Sequence, residues 1–230
     1  MRLQAQLGRH PLLGSKHQTI LAADAVLRRF PSHRTAMRYR LSLIVFAVTI
    51  VITTIGYLVP SFEQALDRDP ALFHGELWRV ITPILLNPEG IPQLVFNTLG
   101  FLIVAPMTEH VFGRARWAVL YVGGALAGEI YSYAVHDYSA GSSLALASLL
   151  GGLAFWMVSG RARGRWARSG GGFMLLAAVW LAVAGDNHGV PILTGAFLAA
   201  GLTAARWNSD EPAEQRRVWR DSDDPAGTMN

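Results

Sequence analysis

Apolar stretches of membrane-crossing length, separated by short arginine-rich blocks, constrain this chain more than any other feature. Residues 41–60 carry no charged side chain. Five further stretches follow at short intervals: 92–108, 117–135, 143–159, 171–185 and 188–205. A helix crosses the hydrocarbon core with about 20 apolar residues, and about 17 is the lower bound. Residues 171–185 number only 15, so this span is expected to borrow neighbours, tilt, or sit where the bilayer is thinned. Hydrophobic residues make up 51% of the 230 and charged residues only 16%, which argues against a soluble domain. With no cysteine present, disulfides, thiolate metal sites and a cysteine nucleophile are excluded.

The basic residues orient the spans. Residues 1–40 hold eight Lys or Arg against the single acid Asp24. Arg114, Arg116, Arg161, Arg163, Arg165, Arg168 and Arg206 fall on the same side when six spans alternate. The opposite loops hold only Arg68 and Arg79, among Glu63, Asp67, Asp69, Glu76, Asp137 and Asp186. Positive residues stay inside, so both termini are expected in the cytoplasm. The net charge of +4 is thus a topology signal, and no nucleic-acid partner is expected. The domains expected are a basic leader over 1–40, a membrane domain over 41–206 and a disordered tail over 207–230. The leader is too long for a signal-peptide n-region and has no small-residue cleavage site after the span. Ile20 to Phe30 reads either as a short basic helix on the inner leaflet or as part of a mobile charged leader.

Residues 61–91 are too long for a turn and too apolar for a solvated loop. Leu77, Trp78, Val80, Ile81, Ile84, Leu85 and Leu86 point to an element half-embedded in the outer leaflet. Such backbone is tolerated only as local helix or packed on protein. Trp78 beside Arg79 has the make-up of an interfacial anchor, and the two are expected as structural anchors of the loop.

GELWRVITPILL at 75–86 resembles the external-loop signature of the rhomboid intramembrane proteases, with Trp78 and Arg79 in the Trp-Arg position. QLVFNTLGFLIVAPMTEHVFG is similar to the family's second span, including Glu109-x-x-x-Gly113. GGALAGEIYS resembles the third span, and GSSLALASLLGG at 141–152 the stretch around the catalytic serine, with Gly141 and Ser143 in the Gly-x-Ser places. The resemblance runs through 75–205 in the family's order. It implies an all-α polytopic membrane protein: a six-helix rhomboid-like bundle with a half-embedded external loop before the second span.

Proteolysis in a membrane needs an activated nucleophile, a base and oxyanion donors at one shallow, hydrated depth. Ser143 lies 18 residues before Arg161, His188 lies 18 before Arg206, and Asn97 lies 17 before Arg114. All three spans run the same way, so the three side chains are expected level, roughly 27 Å from the inner boundary. Ser143 is then the expected nucleophile and His188 the general base, as a dyad without a necessary third acid. Asn97 and Gln93, at spacing i, i+4, are expected to supply amide donors to the oxyanion. No cofactor and no metal are expected, since neither a zinc motif nor a pair of intramembrane aspartates is present. The partners expected are transmembrane protein substrates or clients and the lipid bilayer, in a prokaryotic plasma membrane.

Three positions depart from the family pattern. Gln93 stands where rhomboids have His, Leu144 where they have Gly after the serine, and Pro191 at the first Gly of His-x-x-Gly-x-x-x-Gly. Leu144 adds bulk near the contact between the serine and histidine helices. An alternative register sets Ile192 in the histidine place and leaves no base. These departures keep a second reading open: a proteolytically inactive rhomboid-like protein that binds transmembrane segments. Ser143, His188, Gln93 and Asn97 each also have an ordinary role as helix or loop polar groups. Glu129, alone among ionisable residues deep in a span, is expected either near His188 or the water cavity, or in a structural hydrogen bond as the protonated acid; it is assigned no catalytic role. Gly123, Gly124 and Gly128 mark an expected close helix contact.

Overall fold

The computed structural model describes residues 39–204, apart from 137, 139 and 163. The leader expected over 1–40, save its last two residues, and the tail over 207–230 lie outside the described residues, as do the Ile20 to Phe30 segment and Arg206. The compact unit beginning at Leu41 carries the bundle. Among the described residues the chain is all-helical. It forms α1 (Arg40–Leu58), α2 (Pro60–Leu66), three short 3-10 turns at 70–85, α3 (Ile91–Phe112), α4 (Arg114–Ala134), α5 (Ser143–Val158), α6 (Arg165–Val183) and α7 (Gly189–Ala204).

The six long helices coincide with the six apolar stretches. Three of them, α1, α3 and α6, are long and apolar enough to cross a membrane. The short stretch 171–185 becomes a 19-residue helix because α6 extends back to Arg165. The Arg165 guanidinium lies 5.4 Å from the Trp166 ring centre, a cation–π contact at the helix start.

α5 is the hub. It packs against α3, α4, α6 and α7, and Leu144 to Leu149 are all buried. A helix that is apolar on every side belongs at a centre, and this one is there. Its crossing with α7 is set by glycines. A Cβ on Gly151 would collide with the Ile192 carbonyl, and one on Gly195 with the Ser148 carbonyl. α4 joins the same contact: a Cβ on Gly124 would collide with Ser148 Oγ, and one on Gly128 would press on Leu144 Cδ1 and Pro191 Cγ, each at 3.2 Å. Leu144 therefore turns toward α4, into the space Gly128 leaves, and does not wedge α5 from α7. On the outside, Phe96, Phe173, Trp180 and Val183 are largely exposed, as lipid-facing side chains are. The protein is an integral membrane protein.

The segment before α3 is folded rather than free. Its backbone forms α2 and the 3-10 turns, with Ile84 and Leu86 buried and Leu77, Trp78 and Ile81 exposed. Arg79 is enclosed by the loop itself. Its guanidinium is buried, donating to the Gln64 and Asp67 carbonyls at 2.8 and 2.7 Å and to Glu76 Oε2 at 2.6 Å. Five fixed donors let one side chain gather three points of a loop. Trp78 Nε1 donates to the Ala65 carbonyl at 3.0 Å while half its surface stays exposed. Arg68, which the sequence shows only as one of two cations on the sparse side, reaches into the bundle. It pairs bidentately with Glu129 at 2.8 and 2.9 Å, both side chains fully buried. Glu129 thus makes structural hydrogen bonds, as an ion pair with a loop arginine rather than beside His188.

Candidate active site

Ser143 is the first residue of α5, so its position depends on the loop before it. Ser142, the helix N-cap, donates its N–H to the Leu86 carbonyl at 2.9 Å and its hydroxyl to Asn87 Oδ1 at 2.9 Å. The serine-bearing turn is therefore sewn to the folded external loop. Gly141 precedes it for lack of room: a Cβ there would lie 2.9 Å from Gln93 Nε2 and 3.2 Å from Ser143 Oγ. Gln93 consequently stands beside the serine. Its amide is held at both ends, donating to the Ala140 carbonyl and accepting from Glu89 N–H, each at 3.0 Å.

His188 precedes α7, and its carbonyl accepts the first bond of that helix from Ile192 N. Gly189 lets the turn press onto α6, where a Cβ would collide with the Ala182 backbone. From this turn the imidazole reaches α5. His188 Nε2 lies 2.9 Å from Ser143 Oγ, and Nδ1 lies 2.9 Å from Asp186 Oδ1. Ile192, the alternative in the other register, instead rests its backbone on Gly151. Desolvation acts to raise the Asp186 carboxyl. The hydrogen bonds from the His188 backbone and ring, with their charge attraction, outweigh it and hold the group below the ordinary carboxylate range.

Asn97 is buried, and its Nδ2 donates to Asn87 Oδ1 at 2.7 Å. It is thus joined to the serine turn through Asn87 and Ser142. Asn87 itself is nearly inaccessible, donates toward Thr53 Oγ1 at 3.4 Å, and offers its carbonyl to the Tyr57 hydroxyl at 2.6 Å. Sequence reasoning missed this residue. The signal was a lone amide closing the apolar run Ile84-Leu85-Leu86, next to Pro88. The structure brings Ser143, His188 and Gln93 together, sets Asn97 one residue behind them, and keeps Trp78 and Arg79 in the loop scaffold.

A family model described as the Rhomboid domain matches residues 74–203, more than half the chain. The protein belongs to the rhomboid family. This rhomboid is 38% identical over 104 residues to the putative rhomboid protease YdcA of Bacillus subtilis (strain 168), covering 41% of the chain and 52% of that relative. It is 39% identical over 88 residues to the rhomboid protease GluP of the same organism, covering 38% of the chain and 17% of GluP. Rhomboid-like protease 3 of Toxoplasma gondii is 32% identical over 87 residues, covering 37% and 33%. The rhomboid thus spans about half the length of the first of these relatives and less of the others.

Proposed function

We propose that this rhomboid hydrolyses peptide bonds of transmembrane protein segments, with Ser143 as nucleophile and His188 as general base. The observation that carries the reading is the 2.9 Å approach of His188 Nε2 to Ser143 Oγ, between side chains 45 residues apart, one opening α5 and the other in the turn before α7. In the first step Nε2 takes the hydroxyl proton as Oγ attacks the scissile carbonyl. The carbonyl oxygen then carries a negative charge, for which the backbone N–H at Ser143 and the Gln93 amide are donors. Asn97 has a second amide hydrogen besides the one given to Asn87. The imidazolium returns its proton to the leaving amine, and the C–N bond breaks to leave an ester on Ser143. Water, deprotonated by the same ring, cleaves that ester. Helical carbonyls are engaged in their own ladder, so the substrate must unwind at the cleavage point.

The test is reaction of the purified protein with a fluorophosphonate, followed by mass-spectrometric mapping. The adduct is expected on Ser143 and to be lost in Ser143→Ala. A folded wild-type protein that takes no label favours the second reading, an inactive rhomboid that binds transmembrane clients. The observation on that side is the commitment of Asn97 to Asn87.

The same reading places the protein in a prokaryotic plasma membrane with both termini cytoplasmic. Reporter fusions after Arg116 and Arg168 are expected to read inside, and one near Asp67 outside. An outside signal at Arg168 overturns the arrangement.

A further inference from the structure

We propose that Asp186 is a positioning residue that holds the His188 ring for proton transfer, so that the working array is Ser143–His188–Asp186. The inference rests on the protease reading above and adds a member to it. The two ring nitrogens meet different partners, Asp186 Oδ1 at one edge and Ser143 Oγ at the other, each at 2.9 Å. A carboxylate only accepts, so the nitrogen facing it, Nδ1, carries the ring proton. Nε2 is then left with its lone pair toward the serine hydroxyl, the tautomer a general base requires.

The carboxylate is itself fixed. Asp186 Oδ1 also accepts the His188 backbone N–H at 2.8 Å, closing a turn around the two residues. That turn grows out of the end of α6. Gly185 takes φ +83°, its N–H reaches the Ala182 carbonyl at 3.3 Å, and Asp186 N–H reaches the Leu181 carbonyl at 2.9 Å. These two bonds form a Schellman ending, which sets Asp186 immediately after the left-handed glycine. The next helix starts three residues later, so α6, the acid and the histidine form one short rigid corner. The surrounding elements do not offer the ring a competing charge in the described contacts. α5 brings Ser143, α6 brings backbone at Ala178 and Ala182 against Gly189, and on α4 Glu129 is paired with Arg68. Asp186 remains ionised at neutral pH, its carboxyl lying below the ordinary range.

About two-fifths of the Asp186 side chain is exposed, so water competes for its charge. Its effect is therefore smaller than the roughly 10⁴-fold of a buried triad aspartate, and about tenfold is expected. Asp186→Asn is the informative variant because an amide oxygen can still accept the His188 N–H and keep the turn. The maximal rate of fluorophosphonate inactivation is expected to fall about tenfold with the half-saturating probe concentration unchanged. In parallel, ¹⁵N NMR of the neutral imidazole is expected to show the Nδ1–H tautomer in the wild type and in Asp186→Asn, whose oxygen still accepts it, and a shift toward the Nε2–H form in Asp186→Ala, which has no such oxygen. Equal inactivation rates in a labelling wild type overturn the positioning role and leave the protease reading standing. If the wild type takes no label, the protease reading falls, and the tautomer decides separately: unchanged populations in Asp186→Ala overturn the role of Asp186, and a shift upholds its hold on the ring.

Discussion

Gly151→Ala is expected to slow fluorophosphonate labelling about 100-fold, although residue 151 lies two turns below the serine. The added Cβ meets the Ile192 carbonyl, which is backbone and cannot rotate away. α5 and α7 must then separate by on the order of 1 Å, a displacement that typically costs about 100-fold when it separates reacting groups. Overpacking of this kind also destabilises by about 1–3 kcal/mol. Gly195→Ala, meeting the Ser148 carbonyl from the other side, is expected to act alike. Gly201 lies further along α7 with open space around its Cβ position, so Gly201→Ala is the matched control. That variant should label at the wild-type rate and unfold no more easily. Wild-type labelling in Gly151→Ala would show that the crossing does not control the distance between Ser143 and His188.

Removing one member of the Arg68–Glu129 pair is expected to destabilise the protein by about 3–5 kcal/mol, since the partner charge stays buried. The two halves are not equivalent. A lone carboxyl can take up a proton, whereas a guanidinium stays charged at any accessible pH. Glu129→Ala should therefore cost more than Arg68→Ala when unfolding is followed in mixed micelles. Replacing both, as Arg68→Met with Glu129→Leu, should restore most of the loss, because apolar substitutes for a buried pair are often neutral or stabilising. A double variant as unstable as the sum of the singles would mean that the two side chains do not act on each other.

These two predictions mark where reading the sequence alone stops. Hydropathy and charge make the six long helices legible because each is a property of contiguous residues. Even the weak fifth span fails only at its edge, where Arg165 and Arg168 hide a helical start that continues into apolar residues. Compensation through space is a different matter. Leu144 reads as an obstruction until Gly128, on another helix, is seen to give it room. Arg68 reads only as one of two cations on the sparse side until its acid is found 61 residues away. Asn87 has no periodic neighbour to announce it, yet its one side-chain oxygen joins Asn97 to Ser142. Spacing sets His188 and Ser143 level as an expectation, whereas the amide geometry around them depends on contacts that no local pattern encodes.

The starting points of α5 and α7 carry a further physical consequence. α5 begins at Ser143 and α7 immediately after His188, and each is 16 residues long. Aligned peptide dipoles leave roughly half a positive elementary charge at each N-terminus, and here two such ends converge on one point. The first-turn amides have no partner within their own helices and face outward from the ends. Negative charge appearing between these helices is therefore met by a field that the backbone itself generates, in surroundings where water screens it less than in bulk. Only unravelling the first turns would remove that field; replacement of any one side chain leaves it in place.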